Sequence, residues 1–124
     1  MKSNKLPSEE TISKMRDMLA IASDMTRLKI MLCLLDEDKC VCGKDHAHMN
    51  CGCCEKRECM IEKCVSELVV ETGASQSLIS HQLKVLKDFD LVTTRRDKTK
   101  IYYSLKDGHV KQIISVALEH AEEE

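Results

Sequence analysis

Tryptophan is absent from this chain, and Phe89, Tyr102 and Tyr103 are its only aromatic residues. A core built from it must be aliphatic and rich in methionine. No apolar run approaches the length of a membrane span and no signal peptide opens the chain, so the reading is a soluble, cytoplasmic protein with no membrane partner. Positive charge is not in excess either. The formal net charge is −2, which gives no global signature of nucleic-acid binding; any such signal must be local. There is no Gly-rich phosphate loop and no nucleophile–base arrangement among the cysteines, which argues against an enzyme. With 124 residues, the chain reads as a single domain, 1–124, with a modest core.

What is plentiful is cysteine, with eight residues. In a chain without an export signal, clustered thiols more often bind metal or respond to redox than form structural disulfides. Most fall in the stretch 36–60, which has almost no apolar side chains and no periodicity. It reads as a Cys-rich insertion, because a structureless connection of this length is uncommon in a compact domain. Cys40, Cys42, Cys51, Cys53, Cys54 and Cys59, with Cys64 just beyond and His46 and His48 between, offer more than the four ligands a thiolate site needs. Zinc, cadmium, lead and copper(I) all suit such donors, and a bound ion could supply the ordering free energy that a missing core cannot. A tether whose thiols scavenge ions, or a thiol redox switch, fits the same residues.

Outside the insert the pattern is helical. Ser8 can cap a first helix with the stripe Ile12, Met15, Leu19 and Ala22. The helical phase can break near Ser23 and Asp24, and a second helix covers Thr26 to Leu35 with Leu28, Met31, Leu32 and Leu35 inward. Cys33 within it reads as a small hydrophobe. A third helix starts at about Ile61 and ends at Gly73, a natural C′ residue. Ser75 caps a fourth helix whose inner face is Ile79, Leu83 and Leu86. Leu91 to Arg96 and Lys100 to Leu105 form a hairpin.

Two short helices joined by a Gly-containing turn are a helix-turn-helix signature. Opposite its apolar face the second of them shows Gln76, Ser77, Ser80, His81 and Lys84, mostly hydrogen-bonding side chains near the N-terminus. That is the end a recognition helix inserts into the major groove. Lys84, Lys87, Arg95, Arg96, Lys98, Lys100 and Lys106 supply the local positive patch, with phosphate contact as its use.

A final helix runs from about Asp107 to Glu123 with the stripe Val110, Ile113, Ile114, Ala117, Leu118 and Ala121. His109 and His120 lie on one rim of it, about 16 Å apart along the axis at about 1.5 Å per residue. A metal holds an imidazole nitrogen at about 2.0 Å, so one helix cannot give both to one ion. Each His has a carboxylate neighbour, Asp107 or Glu123. Two copies packed antiparallel about a two-fold axis would join the half-sites into N/O sites of four ligands.

The run from Glu67 to Lys87, ELVVETGASQSLISHQLKVLK, then Leu91 and Val92, then IYYSL from Ile101 to Leu105, resembles the ArsR–SmtB family. SDMTRLKI, from Ser23 to Ile30, resembles that family's second helix. The resemblance implies a dimeric, metal-responsive winged-helix repressor: mainly α with a small β-hairpin, in the order α-α-α-α-β-β-α, with the insert after the second helix. It implies that Gln76, Ser77, Ser80 and His81 read bases, that the 95–100 hairpin is the wing, and that the first and last helices form the dimer interface. Asp107, His109, His120 and Glu123 match the family's interfacial zinc site. Two departures stand out. Cys64 is followed by Val65 and Ser66, so the Cys-x-Cys that some relatives carry on this helix is incomplete, and the insert has no counterpart in the usual pattern. The expected function is a metal-sensing repressor whose dimer binds operator DNA and is released by zinc, or by cobalt or nickel, derepressing efflux or sequestration of the ion. A thiol redox-responsive repressor of the same fold and a metal-buffering protein are the alternatives.

Overall fold

A computed structural model describes residues 6–35 and 61–123. Five helices and one hairpin appear there, in the order α1 (Glu9–Ala22), α2 (Met25–Cys33), α3 (Val65–Thr72), α4 (Gln76–Asp88), β1 (Val92–Asp97), β2 (Lys100–Leu105) and α5 (Gly108–Glu122). This is the expected order. The insert thiols Cys40 to Cys59, and with them His46 and His48, lie outside the described residues.

The helix starts follow local chemistry. Ser8, Asp24, Ser75 and Asp107 each adopt extended backbone, and each side chain accepts a hydrogen bond from the N–H three residues on, at 3.1–3.2 Å. An N-cap of this kind satisfies one of the donors that a helix leaves unpaired. α3 ends at Gly73, whose φ of +78° is left-handed; a side chain there would be strained.

The core is aliphatic, as the scarcity of aromatics requires. Ile30, Met31 and Leu34 of the α2 region, Leu68 of α3, Ile79, Leu83 and Leu86 of α4, and Leu105 of β2 are all but fully buried. α2 is packed between α3, α4 and α1. Its buried face is therefore wider than a single stripe and centres on Ile30, Met31 and Leu34, while Leu28 and Leu32 are half-buried.

One expectation is corrected. The third helix does not begin at Ile61. Residues 61–64 are not helical, and Lys63 exchanges both backbone hydrogen bonds with Tyr103, at 3.0 and 2.8 Å, on the free edge of β2. Cys64 becomes the N-cap of α3, its N–H donating to the Glu67 carboxylate at 2.9 Å. Of the α1 stripe, Met15 and Leu19 are exposed while Ala22 packs against the core together with Met18 and Ile21. In α5 only Val110 and Ile114 are buried, whereas Ile113, Ala117, Leu118 and Ala121 are exposed. Within one chain, α5 packs on β2, and Val110 and Ile114 join the core. Two amphipathic helices thus leave most of their apolar surface uncovered.

Candidate DNA interface and metal centre

α3, the turn through Gly73 and Ala74, and α4 form the helix-turn-helix. The Thr72 hydroxyl stiffens the turn, donating to the Leu68 carbonyl at 2.7 Å and accepting from the Ala74 N–H at 3.2 Å. With Ile79, Leu83 and Leu86 inward, α4 turns Gln76, Ser77, Ser80, His81 and Lys84 to solvent. The four expected base readers and Lys84 share one exposed face toward the N-terminal half of α4. Lys84 pairs with Asp88 at 3.4 Å, but both side chains are mostly exposed, so the pair is weak and easily exchanged.

Sequence reasoning missed the residue that seats α4. Arg27 of α2 donates from Nη1 to Gln82 Oε1 at 2.6 Å and from Nε to the Ile21 carbonyl at 2.7 Å. One guanidinium therefore ties the last turn of α1 to the recognition helix. The only signal for it is an arginine set within an apolar helical segment.

In the hairpin, Val92 pairs with Leu105 and the register runs to Asp97 opposite Lys100. The two-residue turn holds Lys98 at φ +61°, a conformation usually left to glycine. Arg96, Lys98 and Lys100 are exposed, and among the described residues none of them has an ion-pair partner. Arg95 differs. Its Nε and Nη2 donate to the Glu62 carboxylate at 2.9–3.1 Å, and its guanidinium carbon lies 5.1 Å from the centroid of Tyr102, its cross-strand neighbour.

Along α5, His109, Gln112, Ile113, Val116, Ala117 and His120 line one open, largely apolar groove. The two histidines close its opposite ends. Asp107 caps the helix through the Val110 N–H and stands 4.0 Å from His109 Nδ1. At the other end Glu123 is the C-cap residue, and its N–H donates to the His120 carbonyl at 3.3 Å. Among the described residues, no group of three or more His, Cys, Asp or Glu side chains comes together within one chain. Asp107 thus stands beside His109, and Glu123 follows His120 by three positions; imidazole nitrogen and carboxylate oxygen are donors that zinc accepts.

Two thiols are described. Cys64 is buried, with Sγ 3.2 Å from Ser66 Oγ. Cys33 is half-buried. Burial pushes its thiol pKa up, the nearby Glu71 carboxylate adds to the rise, and Lys63 opposes it. A thiol held protonated is a poor nucleophile and a poor metal ligand.

Residues 60–94 match the bacterial regulatory protein, arsR family. The segment covers α3, α4 and the start of β1. Over 116 residues the chain is 27% identical to the transcriptional repressor SmtB homolog of Synechocystis, spanning 94% of this chain and 70% of that one. Over 96 residues it is 32% identical to the arsenical resistance operon repressor of Staphylococcus aureus, spanning 77% and 69%. Other curated relatives align over about half of their length, among them the regulator NmtR of Mycobacterium tuberculosis at 43% identity. A homodimeric winged helix-turn-helix DNA-binding domain from Mycobacterium bovis superposes with a TM-score of 0.68 at 18% identity, over 98% of this chain and 91% of that one; this likeness speaks to the fold. With the exposed α4 face, the hairpin and these relatives in hand, the chain belongs to the ArsR–SmtB family of winged-helix transcriptional repressors.

Proposed function

We propose that this repressor senses a transition metal through α5 and works as a homodimer on operator DNA. The observation that carries the reading is the placing of His109 and His120 at opposite ends of one exposed apolar helix face. A second copy reversed along that face covers the apolar side chains and brings Asp107 and His109 of one protomer to His120 and Glu123 of the other. Zinc suits two imidazoles and two carboxylates; cobalt and nickel are compatible with the same donors.

Two recognition helices then enter successive major grooves, with half-sites about 10–10.5 bp apart. Gln76, Ser77, Ser80 and His81 face base edges, and Lys84, Arg96, Lys98 and Lys100 face phosphates. The ion at the α5 pair favours a dimer geometry that spaces the recognition helices badly. By linkage the ion weakens DNA binding by the same factor as DNA weakens ion binding. Release derepresses genes for efflux or sequestration of the ion. The protein acts in the cytoplasm as one domain, 1–124, into which 36–60 is inserted. Thiolates of that insert, with Cys64, add a softer response to zinc, cadmium, lead or copper(I).

The test is operator titration with and without zinc for His109→Ala and His120→Ala. Each variant binds DNA normally without the ion and loses the zinc-induced release. Zinc release that survives both changes together refutes the α5 site as the sensor. Release by mild peroxide in place of metal would point to a redox repressor, and absence of any sequence preference in genomic selection to a metal buffer.

A further inference from the structure

The wing presents cations to solvent, yet one of them is already engaged. Arg95 makes three hydrogen bonds to Glu62, all between 2.9 and 3.1 Å. Such a bidentate fork occupies the same Nε–Nη2 edge that would otherwise grip a phosphate. The pair is not a chance meeting of two loose side chains. Glu62 is held by its chain neighbour Lys63, which is hydrogen-bonded in both directions to Tyr103 on the outer edge of β2. Arg95 is held from below by Tyr102 at 5.1 Å. The Glu62 side chain is only 26% exposed against 53% for Arg95, so the acid is the anchored partner and the arginine the accessible one.

We infer that Glu62 withholds Arg95 from the DNA backbone and so sets the affinity of the wing below what its cation content would give. The inference rests on the DNA-binding reading above. The pair carries no net charge, and a neutralised arginine releases no counterion from the duplex. Arg96, next along the strand, points to the opposite face and stays available. Glu62 is thus an affinity-setting residue that acts through Arg95 and does not itself touch the nucleic acid.

The experiment measures the salt dependence of binding to a mixed-sequence duplex for the full chain, Glu62→Gln, Arg95→Gln and the double variant, with circular dichroism to confirm folding. Each phosphate newly neutralised steepens the slope of log K against log [salt] by about 0.9. Glu62→Gln is expected to tighten binding and to steepen the slope by about that amount for each protomer on the DNA. Arg95→Gln alone leaves the slope as it was, and in the double variant the gain from Glu62→Gln disappears. Weaker binding by Glu62→Gln would mean that the acid positions the arginine for phosphate, and overturns the inference. So does a flattening by Arg95→Gln that is equal whether Glu62 or glutamine is present, because the two charges then act independently. Failure of the unaltered protein to bind any duplex overturns the DNA-binding reading and this inference together; binding that Glu62→Gln leaves unchanged overturns this inference alone.

Discussion

Replacing Val116 with glutamate tests whether the bare face of α5 is covered by a second protomer. Val116 is 56% exposed in the single chain and lines the groove between His109 and His120. Fully burying a valine is worth about 1.5–3 kcal/mol, so covering the exposed half contributes about 1 kcal/mol per protomer. An uncompensated buried charge costs about 3–5 kcal/mol. Allowing for a carboxylate that keeps part of its water, a total loss of about 2 kcal/mol per protomer is a low figure. Two-fold symmetry counts it twice, giving about 4 kcal/mol, or about a 10³-fold weaker dimer at 1.4 kcal/mol per tenfold. The monomer should tolerate the change, since its carboxylate stays solvated and glutamate is the better helix former. Sedimentation equilibrium over a range of protein concentrations reads the dissociation constant. A Val116→Glu protein that is well folded and still dimerises like the unaltered chain would refute the assignment of this face.

Arg27→Ala removes one hydrogen bond to Gln82 of the recognition helix and one to the Ile21 carbonyl of α1. Hydrogen bonds to a charged group contribute about 1.5–3 kcal/mol each, and this site is partly buried, so urea unfolding should show a loss of about 2–3 kcal/mol; an unchanged midpoint would deny Arg27 that role. Arg27→Lys should restore only part, because an ammonium lacks the fork needed to reach both acceptors. For Cys33, the raised pKa predicts slow alkylation by iodoacetamide in the folded protein, with Glu71→Gln speeding it, as mass spectrometry can follow. The associated stability is complete below the unfolded thiol pKa of about 8.5 and is lost as pH rises through the higher folded value.

Features fixed by neighbours in the chain were readable. The caps Ser8 and Ser75, the helix-ending Gly73 and the inward Ile79, Leu83 and Leu86 depend on spacing that a linear string displays. The exposed outer face of α4 follows from the same spacing. Ile61 to Cys64 was misread as helix because its ordering comes from Tyr103, a strand edge that local propensity does not register. Arg27 with Gln82 and Glu62 with Arg95 are separated by 55 and 33 positions, and no periodicity links them. In α1 and α5 the stripes were visible, yet part of what they imply belongs to surface that one chain leaves bare: Met15, Leu19 and Ile113 are apolar, aligned and exposed.

The tip of the hairpin sets two demands on one residue. A left-handed backbone costs an L-amino acid roughly 1–2 kcal/mol, and Lys98 sits there at φ +61° where glycine would rest without strain. Glycine, however, would remove the cation furthest out on the wing. Variation at this position should therefore move thermal resilience and grip on a polyanion in opposite directions, and a library sorted only for heat tolerance should drift toward proteins that let go of DNA more readily.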